Sequence, residues 1–210
     1  MKKYETEQEN FWAGEFGDEY ISRNQSSAIL ASKTAFWAQC LKRCNLKNFN
    51  EKSCLEFGSN IGLNLRAISA LFPNINMTAV EINEKATSIC KKIEGVDVFN
   101  GSIFDFESEK KFDLTFTAGV LIHINPDKLI NVYEKLYKYS KRYILVSEYY
   151  NPTPVVVTYR NNTDRLFKRD FAGELMDKYS DLELIDYGFA YHRDNNFPED
   201  DATWFLLEKK

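Results

Sequence analysis

From Ser53 onward the chain alternates short apolar runs with stretches whose apolar residues recur every three or four positions. The first run, Cys54-Leu55-Glu56-Phe57, leads through a glycine turn into a helical pattern from Leu63 to Phe72. Met77 to Ile82 predicts a second strand, and Asn83 stands where a helix cap belongs, ahead of Ala86, Ile89, Cys90 and Ile93 on one face. Val96 to Asn100, Phe112 to Thr117 and Tyr143 to Glu148 predict three more strands. Asn125-Pro126 opens a helix whose buried face carries Leu129, Tyr133, Leu136 and Tyr137. Strands alternating with helices at this spacing predict an α/β fold: a parallel sheet with helices on both faces. Two last runs, Leu182 to Tyr187 and Thr203 to Glu208, flank a polar loop and predict an antiparallel hairpin closing one edge.

Two regions are less regular. Residues 1–50 are aromatic-rich and helical in pattern, with Phe11, Trp12, Phe16 and Tyr20 set among glycines and charges. That mixture suits a lid packed on the core, residues 51–210 forming the main body of one structural domain. Ile29, Leu30, Phe36, Trp37, Cys40 and Leu41 mark a helix over Ser27 to Leu41. Tyr149 to Arg169 lacks helical periodicity, and a helix is predicted near Asp170 to Tyr179.

Composition narrows the function. The 210 residues are 44% hydrophobic with a net charge of −4 and no block of like charge, which argues against a nucleic-acid or anionic-membrane binder. No apolar run is long enough to span a bilayer, and the N-terminus lacks the apolar centre of a secretion signal. Cys40, Cys44, Cys54 and Cys90 lack metal-ligand spacing and read as buried thiols, which fits the cytoplasm. No bound metal is expected.

The candidate chemistry begins at Glu56-Phe57-Gly58-Ser59-Asn60-Ile61-Gly62. Gly58 permits a sharp turn, Gly62 a close backbone approach, and Asn60 tolerates positive φ. A second strand ending in Glu81 places an acid where dinucleotide sites bind a ribose. A nicotinamide site would need Gly-x-Gly-x-x-Gly, and Gly58 to Gly62 has the wrong spacing.

Leu55 to Gly62, Ala79-Val80-Glu81-Ile82, Gly101-Ser102-Ile103-Phe104-Asp105 and Gly119-Val120-Leu121-Ile122-His123-Ile124 together resemble the class I S-adenosylmethionine-dependent methyltransferases. The resemblance runs from about Ser53 to the C-terminus and implies a Rossmann-like, seven-stranded, mostly parallel sheet. More narrowly, residues 9–20 and Phe167 to Glu174 resemble the methylases associated with pseudaminic acid biosynthesis. The broad resemblance implies S-adenosyl-L-methionine as cofactor, held by Glu56, Gly58, Ser59, Asn60, Gly62, Glu81 and Ile82. Ser102 and Ile103 would meet the adenine, where many relatives have an acid, and Ser102 equally suits a capping role. Gly119 and Val120 would line the methionine side. Trp12, Tyr20 and Arg23 would close over the site, unless the aromatic pair serves packing alone.

His123 is the candidate catalytic base, and a packing histidine is the other reading. Arg160, Arg165, Lys168 and Arg169 could grip an acidic sugar or form a solvated face. The expected activity is methyl transfer to an oxygen or nitrogen of a small polar acceptor, an acidic sugar or nucleotide sugar being favoured by the narrow resemblance. The rivals are a non-catalytic cofactor-binding or scaffold protein of a glycan pathway, and a methyltransferase of another small metabolite. Base methylation is disfavoured because no Asp/Asn-Pro-Pro-Tyr follows the fourth strand.

Overall fold

Seven strands hydrogen-bond into one sheet in the computed structural model, which describes residues 4–22, 27–44, 52–160 and 162–210. In chain order they are β1 (Ser53–Phe57), β2 (Asn76–Glu81), β3 (Val96–Asn100), β4 (Phe112–Ala118), β5 (Ser140–Glu148), β8 (Leu182–Phe189) and β9 (Thr203–Lys209), with a separate hairpin, β6 (Val155–Tyr159) and β7 (Asn162–Lys168), between β5 and β8. The sheet order is β3-β2-β1-β4-β5-β9-β8. Strands β1 to β5 are parallel, and β9 runs antiparallel to both β5 and β8. The expected doubly covered sheet and its terminal hairpin are both present.

Alternation along β1 shows how both faces are filled. Leu55 and Phe57 point into one core with residues of α6 (Leu129–Tyr139) and α7 (Phe171–Lys178). Cys54 points into the other, against Trp37 and Cys40 of α3 (Ser27–Leu41) and Leu65 and Ile68 of α4 (Leu63–Leu71), with Cys90 of α5 (Glu84–Cys90). A strand buried on both faces reads as a nearly continuous apolar run, broken here by Glu56 alone between Cys54 and Phe57. The helix opened by Asn125-Pro126 starts with a turn of 3-10 helix, Pro126–Lys128, and α6 continues it.

The segment after β5 departs from expectation. Its lack of helical period reflects β structure: Val155 pairs with Lys168, Val156 with Phe167 and Val157 with Leu166. Consecutive β-branched residues favour this extended pairing. At the other end of the chain, α1 (Glu7–Ala13) begins with a capping box in which Thr6 and Glu9 satisfy each other's backbone N–H groups. Next, α2 (Glu15–Ile21) is pinned to the start of α5, where Asp18 accepts from Asn83 at 2.9 Å and pairs with Lys85 at 2.6 Å. Gln8 of α1 donates to the Asp164 carbonyl of β7 at 3.0 Å, so the first helix and the hairpin meet.

Candidate functional site

A cavity opens at the carboxyl ends of the parallel strands. Its walls are Gly58 to Ile61 after β1, Glu81 to Asn83 after β2, Gly101 to Phe104 after β3, Ala118 to Val120 after β4, and Ser147 to Tyr149 at the end of β5. The connection from β1 leads to β2 on one side, while β4 lies on the other, so the cavity spans the switch point where α/β sheets bind ligands.

The turn after β1 is built on left-handed backbone. Gly58, Asn60 and Gly62 have φ of 76°, 49° and 80°, so Asn60 uses the tolerance its residue type allows. A Cβ on Gly58 would lie 2.5 Å from Cγ2 of Val120, because this turn and the loop after β4 close on each other. Gly58→Ala should therefore cost roughly 2–3 kcal/mol through strained φ and overlap. Thermal unfolding checks this, and an unchanged Tm would refute it.

Glu81 ties the turn to the second strand. Its Oε2 accepts from the N–H of Asn60 and its Oε1 from the N–H of Asn83, both at 2.7 Å. Burial raises its pKa, while these backbone donors favour the anion. Each oxygen keeps further acceptor capacity, and the residue lines the cavity. Ser102 accepts from the N–H of Phe104 at 3.1 Å, the capping arrangement, and also lines the cavity with Ile103.

Glu56 and Gly62 do not form the wall. Gly62 faces α5, where an added Cβ would lie 2.9 Å from Sγ of Cys90, so its role is helix packing. Glu56 lies behind Asn64, with Oε1 accepting from Nδ2 of that wall residue at 2.7 Å. Its Oε2 is buried with no partner, and burial raises its pKa to about 8. Lys33, also on the wall, pairs with Glu199 of the β8–β9 connection at 2.6 Å and acts electrostatically on Glu56.

His123 closes the other end of the cavity, in a 3-10 turn spanning Leu121–His123. Its Nδ1 lies 2.6 Å from the carbonyl oxygen of Arg165 on β7. A carbonyl only accepts, so Nδ1 carries the proton and Nε2 is left with a lone pair. Burial lowers the ring's pKa to about 4, which keeps it neutral near pH 7. Its rings of contact are Trp12 at 4.7 Å and Tyr159 at 5.2 Å between centroids. Tyr20 packs edge-on to Trp12 at 5.3 Å, and all three line the cavity with Tyr149.

The loop bearing His123 is held from below by Glu148, 2% exposed, whose two oxygens accept from the N–H groups of Val120 at 3.1 Å and Ile122 at 3.3 Å. Nothing but its place at the end of β5 marked this residue in the sequence. Among the other wall residues, Lys33, Asn64, Tyr149 and Tyr159 also went unread. Arg23 lies outside the described residues. Of the four hairpin cations, Arg165 pairs with Glu7 at 3.2 Å and with Asp164, and Arg169 with Glu174 at 2.6 Å. Lys168 and Arg160 instead lie over the rings of the wall residues Tyr149 and Tyr159. Among the described residues, no group of His, Cys, Asp or Glu is arranged to hold a metal, and no helix is long and apolar enough to cross a membrane.

The strand order, the single antiparallel strand and the helices on both faces define the fold of the class I methyltransferases. Solved structures agree. The plantazolicin methyltransferase BpumL in complex with SAH (S-adenosylhomocysteine) is similar with a TM-score of 0.65 at 15% identity, covering 97% of this chain and 94% of that one. The magnesium protoporphyrin IX methyltransferase ChlM from Synechocystis PCC 6803, with bound SAM (S-adenosylmethionine), gives 0.68 at 9% identity over 100% of both chains. The N-methyltransferase NodS from Bradyrhizobium japonicum WM9 gives 0.62 at 13% identity, over 85% of this chain and 97% of that one. No family model matches the sequence, and no curated protein matches it.

Proposed function

We propose that this chain is an S-adenosylmethionine-dependent methyltransferase acting on an oxygen or nitrogen of a small polar acceptor. One observation carries the reading: a carboxylate, Glu81, faces a left-handed glycine turn at the switch point, and a neutral imidazole with a free Nε2 closes the same cavity. The residues suit the cofactor. Glu81 would accept from the ribose hydroxyls, the backbone of Gly58, Ser59 and Asn60 would approach its body, and Ile82, Ser102 and Ile103 would flank the adenine. Glu56, whose Oε2 has no partner and whose carboxyl burial keeps mostly neutral near pH 7, lies behind Asn64 and would ionise beside the ammonium of the methionine end, and Lys33 would meet its carboxylate. Gly119 and Val120 would line the methionine chain.

When bound, the cofactor supplies a methyl group on a cationic sulfur. The protein's part is to align the acceptor for in-line attack and to receive its proton at Nε2 of His123. Trp12, Tyr20 and Tyr159 line this end of the cavity with His123 and would keep water from the acceptor. Helices α1 and α2 with hairpin β6–β7 thus act as a lid over the core.

An acidic sugar or nucleotide sugar is the acceptor favoured by the resemblance of residues 9–20 and 167–174. Lys168 and Arg160, which have no ion-pair partner among the described residues and lie over the wall rings Tyr149 and Tyr159, would be the cations to meet its acid group; Arg165 and Arg169 are already paired. Calorimetry with S-adenosylmethionine and S-adenosylhomocysteine tests the reading. Micromolar binding of both is expected, on the order of 8 kcal/mol, and no measurable heat with either would sink it. Binding without methyl transfer to any metabolite of a cell extract would favour the non-catalytic alternative.

A further inference from the structure

Resting on the methyl-transfer reading, we infer that Glu199 competes with the cofactor's carboxylate for Lys33, so that the β8–β9 connection loosens the methionine end and hastens release of the spent cofactor. The charges on the wall lead there. Among the described residues Lys33 is the one lysine or arginine lining the cavity, and it is already paired. Its Nζ donates to Oε2 of Glu199 at 2.6 Å. The two side chains are 22% and 10% exposed, so solvent screens the pair only in part.

The connection that carries Glu199 is otherwise turned to solvent. From Tyr191 to Asp201 every residue is exposed except Glu199. The connection closes on itself: Ala190 donates to the Ala202 carbonyl at 2.9 Å, the His192 ring bonds to Asp201, and Asp194 accepts from the N–H groups of Asn196 and Phe197. Glu199 is the side chain it turns inward. Asp200 lies on the same wall and acts on Glu199 as a like charge.

A ligand with a carboxylate brings a further anion to a single ammonium. Glu199 and the ligand, with Asp200 beside them, carry more negative charge than Lys33 balances, and like charges in a partly shielded site repel. Lys33 stays where it is, because its helix α3 is anchored in the core by Trp37, Cys40 and Leu41. Glu199 is the group free to leave, since the segment around it is exposed. The incoming carboxylate therefore takes Lys33 and Glu199 turns to water. The linkage is reciprocal: whatever Glu199 gains on Lys33 is subtracted from the ligand's affinity. A competitor built into the wall shortens the stay of a product that would otherwise limit turnover.

Calorimetry on the full chain tests this with S-adenosylhomocysteine and its decarboxylated analogue, which keeps the nucleoside, the sulfur and the ammonium. Glu199→Gln keeps the shape and should tighten S-adenosylhomocysteine about tenfold, the worth of one charge-assisted hydrogen bond. The analogue should bind this variant no more tightly than it binds the wild type. Asp194→Asn removes the same charge from the exposed part of the connection and should shift neither ligand by more than about twofold. Unchanged or weaker S-adenosylhomocysteine binding by Glu199→Gln would show that Glu199 only steadies Lys33, and an equal gain for both ligands would show a bulk charge effect. Either result overturns the inference. A second reading needs no variant: S-adenosylhomocysteine should speed trypsin cleavage after Arg193 in the wild type and the analogue should not, and equal effects would refute the exchange. Failure of S-adenosylhomocysteine to bind the wild type removes the methyl-transfer reading itself and is seen before either comparison.

Discussion

Glu56→Gln is expected to make the ligand-free protein more stable at pH 9 and leave it nearly unchanged at pH 4. Glu56 is fully buried, one oxygen has no partner, and burial raises its pKa from 4.5 to about 8. A group with a raised folded pKa contributes stability below its unfolded value, and that contribution is lost as pH rises through the folded value. The window is thus pH 4.5 to 8. At about 1.4 kcal/mol per unit, the ionised carboxylate costs up to roughly 5 kcal/mol above it. Glutamine keeps the shape and can still accept from Asn64, so it removes most of that cost. Thermal unfolding should show Tm higher by about 5 °C or more at pH 9. The same charge has a use: affinity for S-adenosylhomocysteine should fall roughly tenfold at pH 9, since a buried anion near an ammonium is worth at least 1.4 kcal/mol. Parallel Tm–pH curves for the two proteins would show that Glu56 does not titrate in this window.

The second large effect is catalytic. His123→Gln should lower methyl transfer by about 10²–10⁴-fold, the usual worth of a general base, while S-adenosylhomocysteine affinity changes less than about threefold. Because burial holds the wild-type ring's pKa near 4, the base stays neutral from pH 6 to 8 and its protonation does not limit the rate there. The fold feels the same shift with the opposite sign to Glu56. A histidine whose folded pKa is depressed below 6.5 stabilises the fold above that value, and the stability is lost as pH falls towards 4. The difference is about 3 kcal/mol, so the variant should unfold less readily in acid. Label transfer with a metabolite extract and acid unfolding by circular dichroism measure the two effects. Undiminished transfer by the variant would return His123 to a packing role.

Much of this was legible because parallel strands covered on both faces cannot hide. Cys54-Leu55-Glu56-Phe57 is apolar on both sides of the pleat, and its one acid is fully buried with an unpartnered oxygen. The turn was legible for a similar reason, since few residues besides glycine and asparagine accept the φ found at positions 58, 60 and 62. What escaped reading depends on long-range partners. Glu148 looks like any strand end until the loop after β4 folds over it. Asn64 sits inside a helical pattern, and only the sheet brings Glu56 to its amide. The hairpin β6–β7 did leave a local trace in Val155-Val156-Val157-Thr158, but its place over the cavity comes from contacts made elsewhere.

One of those contacts bears on the order of assembly. Gln8 and Glu7 reach Asp164 and Arg165 across 156 and 158 residues of chain. A ribosome has made α1 long before β7 exists, so the roof of the cavity cannot close during most of synthesis. The parallel strands and the turns that floor the cavity can form first, from contacts closer in sequence. The lengthening loop adds little to the closure cost, since that cost grows only with the logarithm of its length. The wait is therefore one of timing more than of energy, and a nascent chain would present its glycine turn to the cell uncovered until the hairpin emerges.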